Sequence, residues 1–481
     1  MTRIDIAIVG AGFAGLGLGI RLSREGRNDF VVFERAASVG GTWRDNTYPG
    51  VACDIPAHLY SFSFLPNPDW SRVFAPGAEI RAYLERAGDL IREHLRLSTT
   101  VLDARWDDAD AVWRLETSAG PHTARILVLA CGRLAEPVIP AIDGLESFPG
   151  AMFHSARWDH DIDLTGKRVA VVGSGASAAQ LLPSVVSQAA GVVVFQRSAP
   201  YVIPRADRAY TEAERGLFHR DPGAIARLRD EMFWAAEEGF AERSGDAVHT
   251  TAARDLALEH LARQVPDPAL RATLTPHYEI GCKRRLISSD FYPALSAPTV
   301  TVEHSPIERT DGALAIGASG RAHEVDVIVF ATGFRTSEQP YAALVHGRTE
   351  SLAEHWAGGM RAFASTAVAG FPNMFVLDGP NAGLGHNSAV HMIETQVEFV
   401  LDALERPGVL EVPAGAEDAY TLMIDDRARN TVWTTGGCES WYVDARNGRL
   451  TLLWPGFAHE FTATLAGAAS VFDPATTGAA P

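Results

Sequence analysis

Three short apolar runs dominate the hydrophobic pattern of the chain: Ile4–Val9, Arg168–Val172 and Val325–Ala331. Each run is rich in β-branched residues and is soon followed by glycine, which is typical of parallel strands buried on both faces. The first two lead into glycine-rich turns and then into helical segments. The pattern therefore predicts an α/β protein with two βαβ units, about 160 residues apart.

A change in pattern at residues 207–278 predicts a further component. This stretch is rich in Ala, Glu, Arg and Leu, most clearly at Ala224–Gly239 and Ala252–Gln264. Such residues favour helices, so we expect a helical insertion within the second unit. The insertion is either a packing cap or a lid over a substrate site. The small-residue tail from Leu465 onward is expected to fray at its end.

The turn after the first run contains three spaced glycines, Gly10, Gly12 and Gly15. In a dinucleotide-binding (Rossmann-like) fold, the first permits a tight turn, the second lets the backbone approach a pyrophosphate, and the third allows close packing of helix on strand. The next strand, Phe30–Phe33, leads to Glu34. This carboxylate is placed to accept hydrogen bonds from ribose hydroxyls and would repel a 2′-phosphate. The first site is therefore predicted to bind FAD.

The turn after the second run has the same spacing, with alanine in third place. Where the first unit has Glu34, the second has Gln196, with Arg197 and Ser198 beside it. The neutral amide removes the repulsion, and a guanidinium and a hydroxyl suit a phosphate. The alternative is that Arg197 is simply a surface arginine. We predict an NADPH site that contains Gly173, Gly175, Ser177, Gln180, Arg197 and Ser198.

Composition and charge exclude several classes of protein. The chain has 481 residues, of which 47% are hydrophobic and 21% charged, as expected for a globular protein of two or more domains. The formal net charge of −17 disfavours nucleic acid and anionic membrane as partners. No apolar stretch is long enough for a transmembrane helix, and a strand at Ile4 leaves no room for a signal peptide.

The four cysteines, Cys53, Cys131, Cys282 and Cys438, lie far apart in the sequence. There is no C-x-x-C pair and no metal-ligand spacing among them. We therefore expect reduced thiols in a cytoplasmic protein, and no metal site.

A motif between the two units carries a family resemblance. Residues 148–159, FPGAMFHSARWD, fit F-x-G-x-x-x-H-x-x-x-W-D at every fixed position. On this motif the chain resembles the type I Baeyer–Villiger monooxygenases, flavin enzymes that insert oxygen beside a ketone carbonyl. Within this resemblance His154 is expected to couple domains rather than to do chemistry. The resemblance covers most of the chain and extends to residues 40–43, 48–54, 281–284, 331–333 and 453–457.

The resemblance also implies a set of site residues. Arg284 matches the family's active-site arginine, and a guanidinium suits this role because it stays charged at any working pH. Asp54 matches the acid that holds this arginine beside the flavin, and Lys283 matches a residue that reaches the 2′-phosphate. The alternative for Asp54 and Arg284 is a structural salt bridge. The loop along the pyrophosphate and isoalloxazine of FAD is matched by Gly41, Thr42 and Trp43.

The implied reaction is a Baeyer–Villiger oxidation that uses FAD, NADPH and O₂. NADPH would reduce the flavin, O₂ would add to it as a C4a-peroxide, and the peroxide would attack a ketone to give an ester or lactone. The expected domains are residues 1–145 and 331–481 for FAD and residues 146–330 for NADPH. We expect a small-molecule ketone as substrate, and a monomer or a homodimer.

Three other functions share parts of this pattern. An N- or S-oxygenating flavin monooxygenase usually has an aromatic residue followed by Lys or Arg where this chain has Trp158 and Asp159. A disulfide reductase would need a redox-active cysteine pair, and no spacing indicates one. A non-catalytic flavin sensor would not need Asp54, Lys283 and Arg284. Residues 433–442 could line the substrate pocket or belong to the core.

Overall fold

The apolar runs form central strands of two separate sheets in the computed structural model, which describes residues 2–473. They are observed as strands at Thr2–Val9, Arg168–Val172 and Val327–Phe330, close to their predicted bounds. The end of the tail that is expected to fray, residues 474–481, lies outside the described part of the chain.

The strands of the described residues follow one another in this order: β1 (Thr2–Val9), β2 (Phe30–Phe33), β3 (Leu95–Arg96), β4 (Val101–Asp107), β5 (Val112–Thr117), β6 (Gly120–Leu129), β7 (Ala151–His154), β8 (Arg168–Val172), β9 (Gly191–Phe195), β10 (Val202–Ile203), β11 (Leu286–Ile287), β12 (Val300–Glu303), β13 (Ile307–Asp311), β14 (Leu314–Gly317), β15 (Ala322–Glu324), β16 (Val327–Phe330), β17 (Val345–His346) and β18 (Met374–Val376).

The first sheet draws on both ends of the chain. Its order is β17-β4-β5-β6-β1-β2-β3, and β18 also pairs with β6. Strand β1 runs parallel to β2 and to β6, so that Ile6 is level with Phe30 on one side and Ile126 on the other. Strands β4 to β6 form an antiparallel meander. Strands β17 and β18 follow the second sheet in the sequence but pair in the first.

The second sheet is entirely parallel, in the order β12-β9-β8-β16-β7. A small antiparallel sheet of β13, β14 and β15 connects β12 to β16. The strand β8 at the centre is followed by its own glycine turn, as β1 is in the first sheet. Two Rossmann-like units in an α/β chain are thus confirmed.

The helices lie on the faces of these sheets and in the insertion. They are α1 (Phe13–Arg24), α2 (Thr42–Asp45), α3 (Gly77–Asp89), α4 (Ala176–Gln188), α5 (Glu212–Arg220), α6 (Pro222–Glu237), α7 (Ala247–Gln264), α8 (Pro268–Thr273), α9 (Phe291–Leu295), α10 (Leu352–His355), α11 (Ala389–Leu404), α12 (Ala414–Ala428), α13 (Val432–Thr435) and α14 (Ala458–Leu465). Helices α5 to α8 form the predicted insertion.

Each sheet has its own apolar core. In the first, Leu16 and Leu18 of α1 pack with Val390 and Val397 of α11. In the second, the Val-rich strands β8, β9 and β16 pack against α4 and α9. Of the helices within residues 2–473, none is long and apolar enough to cross a membrane. The same residues contain no cluster of three or more His, Cys, Asp or Glu side chains that could hold a metal ion.

The prediction of four reduced thiols is wrong for one pair. Cys282 and Cys438 form a disulfide, while Cys53 and Cys131 are free. The two bonded residues are 156 positions apart in sequence, but the fold brings their Cα atoms to 6.2 Å. Cysteine spacing indicates only pairs that are close together in the sequence. A disulfide between distant segments therefore could not be predicted from it.

Candidate active site

The first glycine turn has the geometry that close backbone packing requires. Gly10 has φ +107°, and a Cβ there would lie 2.4 Å from the carbonyl oxygen of Ala130. A Cβ on Gly15 would lie 1.9 Å from the carbonyl oxygen of Gly10. A Cβ on Gly12, by contrast, would make only an ordinary van der Waals contact, with the Cα of Gly41 at 3.8 Å. The turn therefore leaves room at Gly12 for a pyrophosphate, which fits FAD.

Glu34 is buried at the end of β2 and fixes the loops around this turn. Its carboxylate accepts hydrogen bonds from the backbone N–H groups of Ala11 and Ala36, each at 2.9 Å. Arg44 forms an ion pair with it at 3.0 Å. These contacts hold the carboxylate beside the turn, where it would meet a ribose.

The loop 40–45 closes the other side of the same cavity. The cavity is lined by the glycine turn, by Glu34, by Gly41, Thr42 and Trp43, and by Tyr60. The indole Nε1 of Trp43 donates to the hydroxyl of Tyr60 at 3.3 Å. Most of the residues predicted for the first nucleotide site therefore line one cavity, and Gly15 and Asp54 lie outside its lining.

The second glycine turn repeats the first. Gly173 has φ +113°, and a Cβ there would lie 2.5 Å from the carbonyl oxygen of Ala331. A Cβ on Gly175 would meet no atom within 4 Å, so this backbone is also open to a phosphate. Ser177, at the start of α4, is partly exposed beside this turn.

A cluster of polar side chains lies near the end of β9. Lys283 Nζ donates to the hydroxyl of Ser198 at 2.8 Å and lies 5.1 Å from the ring centroid of Tyr278. Arg197 is 68% exposed and lies 4.0 Å from Glu439. Burial, and then the charge of Arg197, lower the pKa of Lys283. The fold thus brings the three predicted phosphate-binding side chains to one place, although Lys283 is 85 positions from Ser198.

Gln196 itself does not face this cluster. Its side chain is fully buried, and Nε2 donates to the carbonyl oxygen of Thr273 at 3.4 Å. At the position of Glu34, the second unit therefore has no carboxylate, as the sequence comparison predicts, and the buried amide contributes no contact near Arg197.

Gln180 joins the two units instead of facing the second turn. Its Nε2 donates to the carbonyl oxygen of Ala52 at 2.9 Å, and its Oε1 accepts from the hydroxyl of Tyr48 at 2.9 Å. A Cβ on Gly50 would lie 2.4 Å from the backbone oxygen of Gln180. The helix α4 is thus in close contact with residues 48–52 of the first unit.

Asp54 and Arg284 form an ion pair across 230 positions of sequence. Nε and Nη2 of the guanidinium both donate to Oδ2 of Asp54, at 3.0 and 2.6 Å. The side chains are 31% exposed for Arg284 and 27% for Asp54. The negative charge of Asp54 raises the pKa of Arg284. The guanidinium is therefore cationic, fixed in orientation and accessible.

His154 lies at the end of β7, where it is 3% exposed. Its Nδ1 accepts from the backbone N–H of Ala156 at 3.0 Å. Burial lowers its pKa to about 4, so the ring is neutral at neutral pH. The ring also packs edge-on against Phe334, with the ring centroids 5.7 Å apart, so its contacts extend beyond its own strand.

Hydrogen bonds of buried polar side chains join the insertion to the first unit. These contacts were not predicted from the sequence. Arg229 of α6 donates to the carbonyl oxygen of Ser61 at 2.7 Å. Glu237, at the end of α6, accepts from the side chain of Asn387 at 2.8 Å and from the backbone and ring of His459. These contacts pack the insertion against the first unit.

Residues 433–442 contribute to the core. Trp433 and Tyr442 are 2% and 1% exposed and belong to an apolar cluster with Phe240 and Leu453. The Tyr442 phenol also lies near enough to Arg284 to raise the pKa of the guanidinium. Trp433 and Tyr442 are therefore core beside the Asp54–Arg284 pair, whereas Glu439 and Trp441 of the same segment are exposed.

Two family models match parts of the chain. The model described as an NAD(P)-binding Rossmann-like domain matches residues 8–76. The model described as L-lysine 6-monooxygenase/L-ornithine 5-monooxygenase matches residues 57–206. Both agree with a flavin monooxygenase fold, and neither spans half of the chain.

Two curated proteins match nearly the whole chain. The Baeyer-Villiger monooxygenase of Streptomyces coelicolor is 46% identical, over 95% of this chain and 90% of that protein. The Baeyer-Villiger monooxygenase of Pseudomonas aeruginosa is 44% identical, over 95% of this chain and 89% of that protein. A solved structure, an oxidised steroid monooxygenase bound to NADP, is 31% identical with a TM-score of 0.85 over 98% of both chains.

These matches decide among the predicted functions. They confirm FAD and NADPH as cofactors and flavin-dependent Baeyer–Villiger oxidation as the reaction. The N-oxygenating match is confined to residues 57–206, whereas the Baeyer–Villiger relatives extend over the glycine turns, the linking motif and the Asp54–Arg284 pair. The chain belongs to the Baeyer–Villiger monooxygenase family.

Proposed function

We propose that Arg284 is the catalytic residue of this monooxygenase and that Asp54 positions it. The supporting observation is that Nε and Nη2 both donate to one oxygen of Asp54, which leaves Nη1 outside the pair. A guanidinium held in this way offers fixed donors to a substrate carbonyl oxygen as it becomes negatively charged. Bound FAD supplies the oxygen chemistry, and NADPH supplies the reducing equivalents.

The exposure of this pair favours a role in the reaction over a purely structural one. About a third of each side chain is accessible, so a substrate oxygen can reach the guanidinium. Asp54 keeps the guanidinium protonated and limits its rotation. Removing Asp54 would therefore misplace the charge without deleting it.

The cofactor-binding roles follow the two glycine turns. For the 2′-phosphate of NADPH we propose Arg197, Ser198 and Lys283, which supply two cations and a hydroxyl. Gln180 stays a proposed residue of the NADPH site, and its bonds to Ala52 and Tyr48 also link the two units. For FAD we propose Gly10, Gly12, Gly15, Glu34, Gly41, Thr42, Trp43 and Asp54, and for the NADPH pyrophosphate Gly173, Gly175 and Ser177.

The substrate proposed is a small-molecule ketone, with O₂ as the second reactant. The domain bounds 1–145, 146–330 and 331–481 and a monomeric or homodimeric state stay predictions. A cytoplasmic location also stays a prediction. The expectation of four reduced thiols no longer supports it, because Cys282 and Cys438 form a disulfide.

The experiment is an assay of NADPH oxidation with a panel of ketones under isotopically labelled O₂. We expect oxidation that depends on the ketone, and one labelled oxygen atom in an ester or lactone. L-Lysine and L-ornithine belong in the same panel because of the match at residues 57–206. Labelled hydroxylated amines without labelled esters would overturn the proposal.

A further inference from the structure

Asp54 lies in a loop between α2 and α3, outside any helix or strand. The preceding residue, Cys53, is 3% exposed and ties this loop down. The backbone N–H of Cys53 donates to the carbonyl oxygen of Ala75 at 3.0 Å, and its Sγ accepts from the N–H of Ile55 at 3.4 Å. Because the loop has no regular structure, the contacts of Cys53 decide where the Asp54 carboxylate meets Arg284.

Arg205 follows β10 and reaches across to the same loop from the second unit. Its Nη2 donates to the carbonyl oxygen of Cys53 at 3.0 Å. Its Cζ lies over the ring of Phe74, 5.0 Å from the centroid, and its Nε is 3.8 Å from Oδ2 of Asp207. The side chain is 18% exposed. These contacts hold a largely buried cation against the backbone next to Asp54.

The backbone of Arg205 is bonded to the segment that follows Arg284. Its N–H donates to Oγ of Ser289 at 3.1 Å. Ser289 lies just after β11, which runs parallel to β10. Arg284 is two positions before the start of β11. Through its backbone and its side chain, Arg205 therefore connects the segment of Arg284 to the segment of Asp54.

This connection acts through the backbone and not through the ion pair itself. Within residues 2–473, Arg205 makes no hydrogen bond or ion pair with Asp54 or Arg284. Burial raises the pKa of the Cys53 thiol, and the charges of Arg284 and Arg205 both oppose this shift. The two guanidinium groups therefore lie on either side of Cys53, one on the carboxylate and one on the carbonyl group that precedes it.

We propose that Arg205 is a positioning residue, which holds the backbone at Cys53 so that Asp54 stays bonded to Arg284. Without its guanidinium, the carbonyl oxygen of Cys53 loses a charge-assisted hydrogen bond and the loop loses its link to the second unit. The carboxylate would then move with the loop, and the guanidinium of Arg284 would lose its fixed orientation. This inference rests on the proposed roles of Asp54 and Arg284.

The test is a double-mutant comparison of Arg205→Met and Asp54→Ala in the FAD-loaded enzyme. Arg205→Met should lower the rate of ester formation by roughly threefold to tenfold, mainly through kcat, while flavin reduction by NADPH continues. In the Asp54→Ala background, the same change should have an effect of less than about twofold, because no carboxylate is left to position. Arg205→Lys keeps a cationic donor and should recover part of the loss.

Arg72→Met is the matched control. The Nε of Arg72 lies 2.8 Å from Oδ2 of Asp207, the same oxygen that faces Arg205. In the part of the chain that the structure describes, its side chain makes no hydrogen bond with residues 52–54. Arg72→Met should therefore form ester at the wild-type rate. Hydrogen exchange of residues 52–54 should be faster in Arg205→Met and unchanged in Arg72→Met, which tests the position of the loop independently of turnover.

A wild-type rate in Arg205→Met, or a loss that is equally large in the Asp54→Ala background, would overturn this inference and leave the proposed function standing. A normal ester yield from Arg284→Ala would instead defeat the proposed function. If Arg205→Met does not fold, Phe74→Leu removes the ring beneath the guanidinium. A smaller loss that disappears in the Asp54→Ala background is then expected, and a wild-type rate or a loss that persists there would contradict the positioning role.

Discussion

The side-chain amide of Gln180 is hydrogen bonded to the backbone of Ala52. Nε2 donates to the carbonyl oxygen at 2.9 Å, and Oε1 accepts from the N–H at 3.4 Å. Ala52 is two positions before Asp54, which holds Arg284. The helix that begins the NADPH unit is therefore bonded directly to the segment that positions the proposed catalytic residue.

Gln180→Ala should loosen this contact between the units. The loss of the bonds from Ala52 and Tyr48 should cost about 1–3 kcal/mol of local stability. We expect the ester yield per NADPH to fall several-fold and hydrogen peroxide to rise, while FAD stays bound. Gln188→Ala is the matched control, since Gln188 lies on the same helix and bonds only to Ser184. Identical behaviour of the two variants would show that Gln180 does not couple the units.

Arg197→Ala should impair the use of NADPH but not that of NADH. Losing one charge-assisted contact typically costs ~1.5–3 kcal/mol, so the KM for NADPH should rise by about tenfold or more. NADH kinetics should hardly change, because NADH has no 2′-phosphate. Steady-state kinetics with both cofactors provide the measurement. Equal weakening of both would assign Arg197 to the fold rather than to the phosphate.

Glu439→Gln should have the opposite effect. Glu439 lies 4.0 Å from Arg197 and would repel a phosphate at the same place. Its exposure and solvent screening keep the effect small, so we expect the KM for NADPH to fall by about twofold. The decrease should be larger at low salt. A KM that rises, or a salt dependence of the opposite sign, would contradict this arrangement.

The disulfide joins the segment of Lys283 and Arg284 to residues 436–442. A cross-link that closes so long a loop commonly stabilises a protein by roughly 2–4 kcal/mol. A thiol reductant should therefore lower the Tm and raise the KM for NADPH, and it should have no further effect on Cys438→Ser. Four reactive thiols in the unfolded, unreduced protein, instead of the two that are free here, would contradict the bond.

The local elements could be predicted because their signals lie within a few residues. The glycine turns that contain Gly10 and Gly173 could be predicted because each follows a short apolar run. The insertion could be predicted from the change in composition. The family resemblance supplied Asp54 and Arg284, which the fold brings together from 230 positions apart.

The remaining features depend on tertiary contacts that no local pattern encodes. The bond from Gln180 to Ala52, for example, joins residues 128 positions apart in the sequence. The Cys282–Cys438 bond arises where distant segments meet. In the sequence, a polar residue of a helix or loop looks the same whether it is buried or at the surface. The burial of these residues therefore could not be predicted.

The central claim is that Arg284 acts in oxygen insertion rather than in flavin reduction. Electrostatic donors of this type are commonly worth ~3–4 kcal/mol in a transition state, which is roughly a hundredfold to a thousandfold in rate. Arg284→Ala should fold, bind FAD and still be reduced by NADPH, and Asp54→Ala should show a milder form of the same defect.

The most direct measurement is stopped-flow absorbance of flavin reduction and reoxidation in Arg284→Ala, with product analysis on an accepted ketone. We predict that reduction continues, that the ester disappears, and that hydrogen peroxide accumulates in proportion to the NADPH consumed. A normal ester yield from Arg284→Ala would contradict the account and remove this residue from the mechanism.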